Sequence, residues 1–95
     1  MTLEQKVGQI IMPDIDEVTP QDAKEYQLGT FLNGGGKFPN KNKNSTVADW
    51  KKLSEDFYNA SPVVNGVVVP ILWGTDAVHG HNNVIGATIF PHNIG

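Results

Sequence analysis

The densest chemistry in this chain lies in Asp76-Ala77-Val78-His79-Gly80-His81-Asn82-Asn83. A carboxylate such as Asp76, placed at the end of a strand, can accept hydrogen bonds from two neighbouring hydroxyls of a sugar. The same position also suits a cap or turn aspartate; sugar binding is the favoured reading. His79 and His81 form a His-x-His pair, a spacing that can hold zinc or another divalent ion, and His92 follows further along. On a turn containing Gly80 neither imidazole has to point inward, so hydrogen bonding in a pocket, or support of one, is preferred to metal binding. Gly34-Gly35-Gly36 lacks the Gly-Lys-Ser/Thr and the helix start that a phosphate cradle requires. Its simpler meaning is a backbone that approaches a ligand or a neighbouring loop where side chains would not fit.

Elements of regular structure must position these groups. Thr2 and Gln5 make a capping box for a first short helix with Leu3, Val7, Ile10 and Ile11 on one face, and Pro13 ends the run. Thr19-Pro20, with Asp22 in the first turn, opens a second short helix, for which Gly29 is the expected left-handed stop. Thr30-Phe31-Leu32-Asn33 reads as a strand that ends in the triple glycine. The polar stretch from Asn33 to Ser45 is too long for a minimal turn, and loops of that length are functional or disordered. From Thr46 to Ala60 a helix is expected, capped by Thr46 and Asp49, with Val47, Trp50, Leu53 and Phe57 as its core stripe. Val63 to Val69 carries an Asn-Gly pair and fits a small hairpin or an irregular connection equally well. Pro70 to Thr75 is a nearly continuous apolar run, as expected of a strand buried on both faces. Residues 85–95 show no clear period.

The order helix, helix, strand, helix, strand is an α/β pattern with a crossover helix between neighbouring parallel strands. In such folds ligands meet the loops at the carboxyl ends of the strands. The triple glycine and the Asp76–Asn83 segment are both such loops, so the unusual polar chemistry converges on one rim.

Composition narrows the partners. Ninety-five residues suit one small domain, and 39% apolar residues are too many for a disordered tail. Seven basic residues against ten acidic ones, scattered, give a formal net charge of −3. The one basic cluster, Lys37 to Lys43, lacks a basic helix or stacked aromatics, so nucleic acid is not an expected partner. Without cysteine there is no disulfide, thiolate nucleophile or cysteine-ligated metal. No run approaches the roughly 20 apolar residues that span a bilayer, and no membrane partner is expected.

Trp73-Gly74-Thr75-Asp76-Ala77-Val78-His79-Gly80-His81-Asn82-Asn83, followed by Ala87-Thr88-Ile89-Phe90-Pro91-His92-Asn93-Ile94-Gly95, is similar to family 3 glycoside hydrolases, above all β-glucosidases and exo-acting β-glucan glucohydrolases. Thr2 to Gln9 resembles the family's opening helix, and Leu32-Asn33-Gly34-Gly35-Gly36 its first barrel strand and loop. The resemblance covers essentially residues 1–95 and implies a partial N-terminal (β/α)8 barrel domain, the first two strand–helix units of eight. Its partners would be the remainder of the barrel, a following α/β sandwich domain, and a β-glucoside or β-glucan oligosaccharide. It implies release of glucose from non-reducing ends with retention of configuration. Asp76 would hold hydroxyls of the non-reducing glucosyl unit, Gly34, Gly35 and Gly36 would line the same pocket, and His79 and His81 would support it.

Retention requires two carboxyl groups about 5–5.5 Å apart. The family's nucleophile lies in a Ser-Asp-Trp-like motif, which the resemblance puts beyond residue 95, and its acid/base has no counterpart here. Ala48-Asp49-Trp50 looks like that motif but opens a helix, where Asp49 is a capping residue. No catalytic residue, cofactor or resident metal is therefore assigned within the chain. Two other readings stay open: a metal-dependent barrel hydrolase using His79 and His81, and a non-catalytic carbohydrate-binding or interaction module.

Because the chain begins and ends inside family motifs, it reads as a partial sequence. The absence of a basic-then-apolar leader then leaves its location undecided, and a periplasmic or secreted parent is the expectation. A full barrel needs about 250 residues, so two strands leave bare edges and helices without their packing surface. The isolated 95-residue chain is expected to be poorly stable and to leave a nitrophenyl β-glucoside uncleaved; measurable turnover by the purified chain would overturn this.

Overall fold

The computed structural model describes residues 1–94; Gly95, the last residue of the motif stretch, lies outside them. The elements are α1 (Leu3–Ile10), α2 (Pro20–Glu25), β1 (Thr30–Asn33), a short 3-10 turn (Pro39–Lys41), α3 (Val47–Asn59), β2 (Val63–Val64), β3 (Val67–Val68) and β4 (Leu72–Thr75). The arrangement is mixed α/β with a small parallel sheet.

Each α-helix starts where its sequence says it should. Thr2, Thr19 and Thr46 each accept a hydrogen bond from the backbone N–H three residues on, and Gln5, Asp22 and Asp49 reach back to the cap. These reciprocal bonds satisfy donors that a helix start otherwise leaves free. Bonds from the Thr19 and Thr46 backbone N–H groups, reinforced by their hydroxyls, hold the Asp22 and Asp49 carboxyls below the ordinary aspartate pKa. Asp49 is thus occupied as a cap, as its position after Thr46 implies.

β1 pairs in parallel with β4, Thr30 opposite Leu72 and Asn33 opposite Thr75. A third extended segment flanks β1 on its other side: Leu32 N–H donates to Pro13 O, and Ile15 N–H to Leu32 O, both at 2.9 Å. This segment, bridged at Asp14 and Leu32, was not legible as a strand. Three parallel extended segments therefore lie side by side with β1 central. α3 and the hairpin β2–β3 make the connection from β1 to β4. The hairpin closes on Asn65 and Gly66, both at positive φ, as a tight turn between twisted strands requires, which resolves the two readings of Val63–Val69.

The core lies between this sheet and α3. Phe31 and Phe57 are essentially fully buried, with ring centroids 4.5 Å apart, and Trp73 meets Phe57 edge-on at 5.8 Å. Ile15, Ala23, Leu28 and Ala60 complete the cluster. Trp50, Leu53 and Phe57 face inward as the stripe of α3 implied, but Val47 is 65% exposed, since it begins the helix beyond the reach of the sheet.

Other expectations need correction. Gly29 is not the left-handed stop of α2. Gln27 takes that conformation (φ 52°), and Leu28 N–H closes back on Ala23 O, while the Gln27 side-chain oxygen accepts from Gln5 at 2.8 Å. A partner for its side chain lets glutamine occupy a position usually given to glycine. α1 ends at Ile10, one residue short of the expected run, and its apolar face is open: Leu3 is 72% and Ile10 84% exposed. β4 is not buried on both faces either, because Leu72 is 66% exposed. The polarity pattern of both elements is that of packed structure, but the surfaces they would pack against are not among the described residues.

Phe57→Ala removes the ring that joins β1 to β4 in the core. In the longer protein it is expected to cost about 3–5 kcal/mol. Urea denaturation of that protein followed by tryptophan fluorescence checks this, and a loss below about 1 kcal/mol would contradict the assignment of the core.

Candidate functional site

At the carboxyl ends of β1 and β4 the two loops meet. The register that sets Asn33 opposite Thr75 brings the next residues together: Asp76 N–H donates to Asn33 O at 3.1 Å, and the Thr75 hydroxyl donates to the same carbonyl at 3.3 Å. From there the Asp76 carboxylate reaches the glycine loop, where Gly35 N–H donates to its Oδ2 at 3.4 Å. Asp76, Gly35 and Gly36 are all exposed. The rim thus presents a carboxylate and a run of backbone polar groups side by side, a set suited to vicinal hydroxyls.

The three glycines are not equivalent. Gly34 is buried, and a Cβ there would lie 2.7 Å from Asp14 Oδ2, the atom that accepts its N–H at 3.2 Å. Its small size is demanded by a neighbouring loop. Gly35 has nothing within 4 Å of where a Cβ would be, so it borders open space above the rim.

Two asparagines fix the loop from beneath. The side-chain amides of Asn33 and Asn83 each donate to Lys37 O at 3.1 Å, with longer contacts to Gly34 O at 3.4 and 3.3 Å. Lys37 N–H closes the turn on Gly34 O, and the Lys37 ammonium pairs with Asp16 at 3.4 Å. Both asparagines are buried. Further along, Ser45 is buried, with its hydroxyl 2.6 Å from Asn42 O and 3.0 Å from Pro39 O. The long polar stretch from Asn33 to Ser45 is therefore folded on its own hydrogen bonds.

The two motif histidines go to different places. His79 Nδ1 lies 3.0 Å from Phe90 O, and its ring packs edge-on against His92 with centroids 4.2 Å apart. His81 turns the other way: Nε2 lies 3.2 Å from Thr75 Oγ1, and the ring meets Trp50 at 5.2 Å. Their divergence weighs against a metal-dependent hydrolase built on this pair. Gly80 between them sits at φ 112°, and a Cβ there would collide with Thr88 O, so the motif loop and the following segment meet on bare backbone.

Asp76 and the glycine loop, singled out from sequence, are thus adjacent, while His79 and His81 stand to either side. Asp14, Asn33, Lys37 and Asn83 were missed as parts of the site. For Asn33 and Asn83 a signal existed, since both lie inside the segments already flagged. Lys37 too lies in the flagged stretch from Asn33 to Ser45, but Asp14 is joined to the site only by folding.

Gly34→Ala is expected to push Asp14 away and to cost about 1–3 kcal/mol, whereas Gly35→Ala is expected to leave stability within about 0.5 kcal/mol. Thermal denaturation of the two variants in the longer protein separates them, and equal shifts would contradict the difference drawn between the two positions.

The whole described site lies inside a match to the family described as "Glycosyl hydrolase family 3 N terminal domain", which spans residues 2–95. The chain is 31% identical over 111 residues to a lysosomal beta glucosidase of Dictyostelium discoideum, covering 100% of the chain and 13% of that protein. Its structure is similar to that of an exo-1,3/1,4-beta-glucanase from a Pseudoalteromonas species, with TM-score 0.86, 47% identity, and coverage of 99% of this chain and 12% of that one. A point mutant of the same glucanase gives TM-score 0.84 at 46% identity, over 98% and 15% of the respective chains.

Proposed function

The chain belongs to glycosyl hydrolase family 3, and on that premise we propose that it supplies part of the glucose pocket of a retaining exo-acting β-glucosidase or β-glucanase. It spans only 12–15% of the relatives it matches, so the activity is that of a longer protein. The relatives' names, a beta glucosidase and an exo-1,3/1,4-beta-glucanase, support β-glucosides and β-glucans as substrates.

The observation that carries this reading is the meeting of the Asp76 carboxylate with Gly35 N–H across two neighbouring strand ends, both exposed at one rim. Asp76 would accept hydrogen bonds from two hydroxyls of the non-reducing glucosyl unit, and the open backbone at Gly35 and Gly36 would let the sugar ring come close. His79 and His81 would hold the loop that carries Asp76. The nucleophile and the acid/base, which a retaining mechanism needs at short separation, would come from other parts of the longer protein. Cleavage itself is therefore not assigned to any residue here.

The three parallel extended segments and the crossover through α3 support the first strand–helix units of a (β/α)8 barrel. In such a barrel the substrate site lies at the carboxyl ends of the strands, which is where Asp76 and the glycine loop are. The open faces of α1 and β4 would be covered by the remaining units.

Asp76→Ala in the full-length enzyme is expected to lower kcat/KM on a nitrophenyl β-glucoside by about a hundredfold or more, from the loss of charged hydrogen bonds to two hydroxyls. Stability should hardly change, because the side chain is exposed. Steady-state kinetics and a thermal melt check both, and an undiminished kcat/KM would sink the assignment.

A further inference from the structure

Behind the rim, His81 sits in a line of hydrogen-bonding atoms whose direction can be worked out. Nδ1 of His81 and Nε1 of Trp50 are both buried, and among the described residues neither makes a hydrogen bond, to the other or to any other group. Their rings meet edge-on, with centroids 5.2 Å apart and planes at 71°. On the other side of the imidazole, Nε2 lies 3.2 Å from Thr75 Oγ1, and that hydroxyl lies 3.3 Å from Asn33 O.

The far end of this line fixes its polarity, because the Asn33 backbone carbonyl can only accept. The single hydroxyl proton of Thr75 is given to Asn33 O, so Thr75 Oγ1 must accept from the imidazole. Nε2 of His81 therefore carries the proton, and Nδ1 is left as an acceptor on the ring that Trp50 faces. With the opposite tautomer Nε2 could only accept, and the one hydroxyl proton of Thr75 could not serve both it and Asn33 O.

We infer that His81 is a positioning residue for Asp76: its Nε2–H tautomer, backed by Trp50, orders the Thr75 hydroxyl on the Asn33 carbonyl that also receives the Asp76 N–H. In this role His81 acts through Thr75 and Asn33, which set where the Asp76 backbone leaves β4. The consequence for substrate rests on the reading of Asp76 as a sugar-binding residue; the direction of the hydrogen bonds does not.

The test uses the full-length enzyme. Nitrogen-15 spectra of histidine-labelled protein, with the His81 signal assigned by its loss in His81→Gln, are expected to show the proton on Nε2; a proton on Nδ1 would overturn the inference. His81→Phe keeps a ring against Trp50 but cannot donate to Thr75, whereas His81→Gln restores an N–H donor. The expected result is a KM raised about tenfold in His81→Phe with kcat changed far less, and a KM within about threefold of the parent in His81→Gln. Equal KM values for the parent and His81→Phe would overturn it. Hydrogen exchange of the segment holding Asp76, followed by mass spectrometry, needs no substrate: faster exchange in His81→Phe and not in His81→Gln is expected, and unchanged exchange in both would refute the positioning role. If the tautomer and exchange results hold in a protein that cleaves no β-glucoside, the functional reading fails while the positioning of Asp76 by His81 stands.

Discussion

The parallel register of β1 with β4 is the constraint on which the rest depends. It sets Asn33 level with Thr75, so that both strands end at the same height and their loops leave from one edge. The Asn33 carbonyl then takes two donors, Asp76 N–H and the Thr75 hydroxyl. A slip of one residue would turn every side chain of the strand to the other face. Asn33 would leave its buried place beneath the glycine loop, and Phe31 would leave the ring of Phe57. The same register thus holds the core on one side and the candidate site at the end.

Above that register, rigidity comes from amides. A loop rich in glycine loses more conformational entropy on becoming ordered than most, and here the order is supplied by two buried asparagines donating to the same pair of carbonyls. Asn33 arrives from β1 and Asn83 from the motif loop, so they tie the two loops to each other as well as to the turn. Hydrogen bonds of this kind are modest in net value but costly to break once buried. That asymmetry favours a loop held in one conformation. The Asp16–Lys37 pair adds a further link from the segment on the far side of β1.

Much of this was legible. Helix starts were written in threonine caps with a partner three residues on, and strands β1 and β4 in short apolar runs closed by glycine or by polar clusters. The adjacency of Asp76 and the glycine loop followed from the rule that loops after parallel strands share a rim. What could not be read depends on contacts distant in sequence. Pro13–Ile15 becomes extended because β1 lies beside it, and no periodicity in three residues announces that. Gln27 takes the left-handed position because Gln5 meets its side chain, whereas Gly29, the residue intrinsically suited to it, is instead packed against Gln9. His79 and His81 are two residues apart yet part ways at Gly80, whose conformation is set by the Thr88 backbone pressed against it.

The apolar residues left open are as informative as those buried. Leu3, Val7 and Ile10 on α1, Leu72 on β4, and Phe90 and Ile94 near the end of the chain are all exposed. Leu72 pairs with Thr30 and points to the face opposite Trp73, which packs on Phe57, so the sheet that carries the site is covered on one face only in part by these residues. A rim built on a sheet with an uncovered neighbour can hold the relative placement of Asp76 and Gly35, because that depends on bonds between adjacent strands. Among the described residues nothing lies within 4 Å of where a Cβ would stand on Gly35, so the hydrogen bonds that place the Asp76 carboxylate do so without enclosing the space above it.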